Sequence, residues 1–236
     1  MNEASKLKQF AWGMYAGVPV ILGFIPVGIA YAIMARQAGF TVGETILMSA
    51  SVFAGASQMM SVGMYASGAS IAAIVFATFL LNLRHIIMAT CIADRMKPCP
   101  RWLRFIAGFG VTDEGFAVFC NTQKYKCTVI FYMGLALVTY LSWVAGTAIG
   151  AVASDILPPI VTAALGVSLY AMFIGILVPG IKKNVSLIVL VGITAVLNSI
   201  LSCVFDSGVS LVISTLVCAF AGMFFVKLPD EEEAKK

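Results

Sequence analysis

Two short clusters of ionisable residues lie inside long apolar stretches of this sequence. One contains Arg84 and His85, and the other contains Asp113 and Glu114. A charged side chain is costly in the hydrocarbon core of a membrane, and those that occur there usually bind ions, protons or substrates. His85 lies roughly 15 Å of helix from the polar flank at Asp94, which is too far for an imidazole to reach water. The two clusters therefore predict a binding site at membrane depth.

The chemistry of these four side chains suits a small charged solute. A guanidinium binds a carboxylate, a carboxylate binds an ammonium group, and His85, the one histidine of the chain, can exchange protons near neutral pH. Because an unpaired buried charge is unstable, we predict that at least one acid approaches Arg84 or His85. Neighbouring helical residues point about 100° apart, so we expect only one of Asp113 and Glu114 to face the site. A pair that merely locks two helices together is the alternative.

The composition defines the class of protein. Of the 236 residues, 61% are hydrophobic and only 11% are charged, and the mean hydropathy is +0.99. These values exclude an ordinary soluble domain and predict an all-α integral membrane protein. The formal net charge of +4 is spread over the loops, which argues against nucleic-acid binding. We expect one transmembrane transporter domain over residues 1–236, with a short polar tail of acidic and basic residues at 228–236.

Eight apolar segments have about the length that a membrane-spanning helix requires. The positive-inside rule assigns the basic loops, above all residues 94–104, to the cytoplasm, whereas eight simple crossings from a cytoplasmic N-terminus would put that loop outside. The conflict disappears if segments 45–66 and 105–121 enter the membrane and return to the same side. We therefore expect about six crossing helices, two interrupted or re-entrant segments and cytoplasmic termini; seven or eight plain crossings are the alternative. The eight segments are 13–35, 45–66, 69–92, 105–121, 127–153, 158–180, 185–204 and 208–227.

The first interrupted segment has the small and polar residues that a broken helix needs. A helix that begins near Gly55 and Ser57 would present free backbone N–H groups to a carboxylate. Gln58 and Asn82 add neutral hydrogen-bonding groups, and Pro26 would kink the first segment and free carbonyl groups along the same path. Together with the two ionisable clusters, these residues form the predicted substrate and ion pathway.

Several other hypotheses remain open from the residues. Ser57 and His85 could form the dyad of an intramembrane hydrolase, although a full catalytic pattern is missing. The polar residues could instead line a passive channel or belong to a structural membrane subunit. The six cysteines have no metal-ligand or disulfide spacing, so neither a metal site nor a cofactor is predicted. A weak similarity between residues 28–32 and 166–171 allows an inverted repeat.

Four motifs follow one another along the chain: Phe24–Gly28, Ser51–Gln58, Asn82–His85 and Thr112–Glu114. In this order and spacing they resemble the AzlC family of branched-chain amino acid permeases, over roughly residues 10–215. The resemblance implies a non-enzymatic exporter of valine-like amino acids in a bacterial cytoplasmic membrane, for which we expect coupling to an ion or proton gradient. It also implies a small membrane partner of the AzlD type, and the large apolar helix surfaces make a homo-oligomer a further expectation.

Overall fold

The computed structural model describes residues 3–96, 98–122, 128–156, 185–205 and 207–225, together with the single residues 160, 174 and 178. Within these ranges all regular structure is helical. The chain divides into two compact units, Met1–Phe173 and Ile174–Lys236. The predicted all-α architecture is therefore confirmed for the described part of the chain.

Among the described residues of the first unit, three helices are long and apolar enough to cross a membrane. They are α2, α5 and α8, with 20, 25 and 25 residues, and they correspond to the predicted segments 13–35, 69–92 and 127–153. The described helices of this unit are α1 (Glu3–Ala16), α2 (Val18–Gln37), α3 (Val42–Val52), α4 (Gly55–Ala66), α5 (Ile71–Arg95), α6 (Arg101–Phe109), α7 (Asp113–Asn121) and α8 (Val129–Ala153).

Helix α1 was not predicted from the sequence, because the first predicted apolar segment begins at residue 13. It continues into α2 across Gly17, and both helices run parallel to α8 with their backbones in contact. A Cβ atom at Gly134 would lie 2.2 Å from the carbonyl oxygen of Phe10, and one at Gly146 would lie 2.7 Å from that of Ile25. Glycines of this kind allow the close packing of membrane helices. Helices α1, α2 and α8 thus form the frame of the unit.

Segment 45–66 is interrupted, as predicted. Helix α3 begins with a capping box in which the Thr41 side chain accepts from the backbone N–H of Glu44 and the Glu44 side chain accepts from that of Thr41. It ends at Phe53, which has a left-handed backbone conformation with φ of 43°. A left-handed residue ends an α-helix, so the chain turns at Phe53 and Ala54 before α4 begins.

Segment 105–121 is interrupted as well, between the end of α6 and the start of α7. Tyr132 of α8 donates a 3.0 Å hydrogen bond to the carbonyl oxygen of Gly110 in this break. Thr112 then caps α7, because its hydroxyl oxygen accepts from the N–H of Gly115 at 3.1 Å. The second prediction of a broken helix is therefore also confirmed.

Each interrupted segment starts and ends at the same end of the unit. The ring of Phe40, just before α3, packs against that of Tyr65 near the end of α4, with centroids 5.2 Å apart. Arg95, which ends α5, donates from Nη2 to the carbonyl oxygen of Thr122 after α7 at 2.9 Å. Pairs α3–α4 and α6–α7 are thus helical hairpins that return to the level where they began, which is the geometry of re-entrant segments.

The two hairpins pack on opposite halves of α8 and meet near its middle. One apolar core combines the start of α8 with α6, α7 and the end of α5. The other surrounds Trp143 and combines α2 with the break between α3 and α4. At the meeting point the rings of Phe53 and Phe109 lie 6.4 Å apart, and both contact Tyr140, at 5.2 and 6.0 Å.

The second unit contains α9 (Val185–Leu201) and α10 (Ser207–Phe225), which fall in the predicted segments 185–204 and 208–227. Ser214 donates to Asn198 Oδ1 at 3.2 Å, so a polar contact joins the two helices. Segment 158–180, the second half of the suggested repeat at 166–171 and the tail at 228–236 lie outside the described residues, apart from single positions. The count of six crossings, the inverted repeat and the single domain therefore stay predictions.

The close contact between α1 and α8 predicts that adding one methyl group at Gly134 lowers the stability of the protein. Gly134→Ala puts that group 2.2 Å from the Phe10 carbonyl oxygen, so α1 must move away from α8. We expect a loss of about 1–3 kcal/mol in the free energy of unfolding, the usual cost of overpacking, measured as a lower melting temperature of the purified protein in detergent.

The matched control is Gly63→Ala in α4, because a Cβ atom at Gly63 has no neighbour within 4 Å. Its melting temperature should equal or exceed that of the wild type, since alanine favours helix over glycine. Equal melting temperatures of the Gly134 and Gly63 variants would contradict the close contact.

Candidate functional site

An ion pair joins the two clusters that the sequence singled out. Arg84 Nη2 lies 3.0 Å from Asp113 Oδ2, with the two side chains 33% and 26% exposed. Arg84 lies near the middle of α5, and Asp113 is the first residue of α7. The predicted approach of an acid to Arg84 is therefore confirmed, and it connects the second hairpin to a membrane-spanning helix.

The expectation that only one acid faces the site is wrong, because both Asp113 and Glu114 line the same pocket. The pocket lies at the N-terminal end of α7 and not along one side of it. Residues of a first helical turn surround the axis, so two neighbours can both border a space at the end. Carboxylates are also favourable there, next to the positive end of the helix dipole.

The pocket has a charged side and an apolar side. It encloses about 410 Å³ of space, a volume that includes the open space at its mouth. Its charged side comes from α5 and the start of α7, and its apolar side comes from α2, the break after α3 and α8. The lining residues are Phe24, Val27, Phe53, Ala54, Gly55, Ala56, Arg84, His85, Thr112, Asp113, Glu114 and Trp143.

The N-terminus of α4 opens into this pocket without a side-chain cap. The helix begins at Gly55, and the preceding Ala54 provides no capping hydrogen bond. The first N–H that bonds back along the chain is that of Gln58, which donates to the Ala54 carbonyl oxygen at 2.9 Å. The N–H groups of Gly55, Ala56 and Ser57 therefore have no acceptor within the helix, and such an end attracts anions.

Two buried nitrogen atoms of pocket residues also lack partners. Arg84 Nε and His85 Nδ1 have no hydrogen-bond partner among the described residues. Most buried polar atoms in folded proteins are paired, so an unpaired one calls for an explanation. Both atoms belong to side chains that line the pocket, where a bound solute could pair with them.

Trp143 forms the back of the apolar side. Its ring lies edge-on to Phe24 at 5.6 Å and stacked on Tyr31 at 6.0 Å. A Cβ atom at Gly55 would lie 2.7 Å from its Cη2, so only glycine lets α4 begin this close to the ring. The predicted pathway residue Gly55 thus brings the helix end and the aromatic wall together.

Gln58 lies behind this wall and does not line the pocket. It is fully buried, accepts from Trp143 Nε1 at 3.1 Å and donates to Ser49 Oγ at 3.2 Å. The Ser49 hydroxyl is in turn 2.7 Å from that of Thr147. This chain of hydrogen bonds fixes α3 and α4 to α8, so Gln58 positions the break from outside the pocket.

The structure brings together five of the predicted pathway residues and leaves four outside the pocket lining. Ser57 donates to Asn82 Oδ1 at 2.5 Å, which joins α4 to α5, and Pro26 is half-buried within α2. Since the Ser57 hydroxyl donates to an amide and His85 Nδ1 has no partner among the described residues, a dyad through that nitrogen is not formed. The five that line the pocket are Gly55, Arg84, His85, Asp113 and Glu114.

Sequence reasoning missed the apolar side of the pocket. Phe24, Val27 and Phe53 lie within the motifs that carried the family resemblance, so their place in those motifs could have identified them as candidate pocket residues. Trp143 lies in a uniformly apolar helix and gave no signal. Within the described ranges, no group of three or more His, Cys, Asp or Glu side chains could hold a metal ion.

A pocket between two broken helices, within a bundle of apolar helices, defines the class as a membrane transport protein. The model of the AzlC protein family matches residues 19–157, a range that includes both hairpins and the whole pocket lining. The chain belongs to the AzlC family, as the sequence motifs predicted. No solved structure matches it.

Relatives of the chain carry names that agree with this class. An uncharacterized membrane protein of Archaeoglobus fulgidus is 38% identical over 186 residues, which covers 77% of this chain and 80% of the relative. Inner membrane protein YgaZ of Escherichia coli is 28% identical over 235 residues, or 94% of each chain. The branched-chain amino acid transport protein AzlC of Bacillus subtilis is 27% identical over 155 residues, with 64% of this chain and 61% of the relative covered.

The ion pair predicts unequal effects for two similar substitutions. Asp113→Asn leaves the Arg84 guanidinium without its countercharge in a partly buried site, so we expect the free energy of unfolding to fall by about 1–2 kcal/mol, between the values for exposed and buried pairs. Asp155→Asn is the matched control, because Asp155 pairs with Arg36 at 3.5 Å but is 77% exposed. A change of under about 0.5 kcal/mol is expected there. Equal shifts in the melting temperature would contradict a special role of the Arg84 pair in stability.

Proposed function

We propose that this protein is a secondary active exporter of branched-chain, valine-like amino acids in a bacterial cytoplasmic membrane, coupled to an ion or proton gradient. The observation that carries the proposal is the composition of the pocket. It presents a cationic side, a carboxylate and an aromatic wall within one small space. A zwitterion with an apolar side chain needs these three surfaces together.

The amino acid carboxylate fits the side formed by Arg84 and His85. Arg84 Nε and His85 Nδ1 lack partners within the described residues, and the uncapped start of α4 adds backbone N–H groups. Hydrogen bonds between a guanidinium and a carboxylate are about twice as strong as neutral ones. A carboxylate bound here would satisfy groups that the protein alone leaves unpaired.

The ammonium group and the side chain fit the remaining surfaces. Asp113 already pairs with Arg84, so Glu114 is the carboxylate that remains for the ammonium group. Phe24, Val27 and Trp143 offer the apolar contact that a branched aliphatic side chain requires. The relative named as a branched-chain amino acid transport protein supports this substrate class.

Transport across the membrane is supported by the arrangement of the hairpins. Their breaks meet at the pocket, whereas their ends lie at opposite ends of the unit. A separate hairpin on each side can open and close one entrance at a time, as alternating access requires. The partner, a small membrane protein of the AzlD type, enters the proposal through the family resemblance alone.

A cytoplasmic N-terminus is supported by the charges at the two ends of the frame. Thr128 donates to Gln9 at 2.9 Å, so the start of α8 lies beside the middle of α1, close along the chain to Lys6 and Lys8. At the other end the charge of Arg36 is paired with Asp155. Lys and Arg favour the cytoplasmic side whether or not an acid lies nearby, and the frame helices have two of them at the first end and one at the other.

A counterflow assay tests the proposal. Purified protein in liposomes loaded with unlabelled valine, with and without the small partner, should take up labelled valine transiently and saturably. Saturation identifies a carrier, because a carrier must bind one substrate at a time. Linear uptake that never saturates would instead identify a passive channel, and no uptake of any branched-chain amino acid in either preparation would contradict the substrate class.

A charge exchange separates a binding role of the ion pair from a purely structural one. The double variant R84D/D113R keeps a pair of opposite charges but moves the cation to α7. We expect it to restore most of the melting temperature that either single variant loses and to leave less than about 1% of wild-type counterflow, which corresponds to about 2.7 kcal/mol of binding. Full counterflow in the double variant would show that the pair only locks the helices.

A further inference from the structure

We propose that Glu114 is the coupling residue of this carrier: its carboxylate binds either the substrate ammonium group or a proton, so that one proton enters for each amino acid exported. This inference rests on the proposed function and deepens it. It concerns the residue next to the Arg84–Asp113 pair, which the sequence did not distinguish from Asp113.

The first argument is the contrast between the two neighbouring acids. Glu114 is 9% exposed and lines the pocket, yet it has no cationic nitrogen within 4.0 Å in the described part of the chain, whereas Asp113 is paired with Arg84. A buried carboxylate without an ion-pair partner is costly to keep ionised. Such a group is stable when it holds a proton or when a cation comes to it.

The second argument is the set of groups that surround Glu114. Helix α5 brings Arg84 and His85 to the pocket, and α7 itself adds Asp113. The parts of α2, α4 and α8 that line the pocket carry no ionisable side chain. Among the lining carboxylates, Glu114 is therefore the one whose charge is not balanced by an ion pair.

The same surroundings favour Glu114 over His85 as the proton carrier. A protonated His85 would add a second positive charge beside the Arg84 guanidinium in a half-buried site, which is unfavourable. A neutral His85 can still pair with a substrate carboxylate through Nδ1, which has no partner among the described residues. His85 thus suits binding, whereas Glu114 suits exchange of a proton for an ammonium group.

Competition for one carboxylate couples the two flows. On the cytoplasmic side the ionised Glu114 binds the ammonium group of the amino acid, which keeps its own three protons. After release outside, the free carboxylate takes one proton from the external water, returns protonated and releases that proton to the cytoplasm. Each cycle exports one zwitterion and imports one proton, so one positive charge moves inward.

Proton release on binding tests this coupling directly. Valine is added to the purified full-length protein in weakly buffered detergent solution at a pH where the pocket is protonated, and a pH indicator records protons released per valine bound. We expect release of up to one proton in the wild type, and an affinity for valine that falls as the pH is lowered, approaching about tenfold per pH unit. Glu114→Gln should release no proton and should bind valine with an affinity independent of pH.

Two further variants keep this result interpretable. Glu44→Gln is the matched control, because Glu44 also lies in the first turn of a helix but is exposed and far along the chain from the pocket residues of α7. The Glu44→Gln variant should release protons on valine binding like the wild type. Glu114→Asp keeps a carboxylate in the pocket and should retain proton release, which separates loss of titration from loss of fold.

Reconstituted protein gives a second readout. Glu114→Gln should bind valine more weakly than the wild type and should no longer accumulate valine in response to an imposed pH gradient, whereas Glu44→Gln should accumulate it like the wild type. Proton release or pH-driven accumulation that persists in Glu114→Gln, or that disappears in His85→Gln and not in Glu114→Gln, would overturn the role of Glu114. If the wild type neither binds nor exchanges valine, the proposed function fails and this inference fails with it; if it exchanges valine without moving protons, only the inference fails.

Discussion

Backbone groups freed by a break in a membrane helix must find partners, because hydrocarbon holds no water to bind them. Helix α8 provides partners for both breaks of the first unit. The Tyr140 hydroxyl donates to the carbonyl oxygen of Ala50 at 2.8 Å in the last turn of α3, and the Tyr132 hydroxyl donates to that of Gly110 at 3.0 Å. Both hairpins therefore depend on one helix, and the pocket lies where their breaks meet. The close packing of α1 and α2 on the glycines of α8 keeps that helix in place.

Much of this arrangement follows from charge and length in the sequence. Four basic residues in loop 94–104 favour the cytoplasmic side of the membrane, and from this we predicted that two segments return to the side from which they enter. The cost of an isolated charge likewise predicted a partner for Arg84 at Asp113 or Glu114. Both inferences use quantities that can be read directly from the sequence, namely segment length and the number of charges. They therefore needed no knowledge of how the helices pack.

The parts that the sequence did not predict depend on how surfaces fit. Gln58 was expected in the pathway because it is polar at membrane depth, but its two hydrogen bonds to Trp143 and Ser49 place it behind the pocket. Helix α1 was not predicted because its first residues are polar, and the sequence alone does not show that one of its faces packs on α8. The two acids were expected to diverge as on the side of a helix, whereas they border a pocket at its end. In each case the deciding fact is a neighbour from a distant part of the chain.

The two helix N-termini at the pocket favour ligand groups of opposite charge. Helix α7 is capped by Thr112 and begins with two carboxylates, so its positive end is already balanced and its surroundings favour a cation. Helix α4 has no cap and begins with Gly55, so its N–H groups favour an anion. A solute with one charge would satisfy one end and leave the other unpaired. A zwitterion satisfies both ends at once, with its carboxylate toward α4 and Arg84 and its ammonium group toward Glu114. Under the proposed function, this polarity of the pocket explains why a carrier for neutral amino acids has ionisable groups at membrane depth, although its substrate has no net charge.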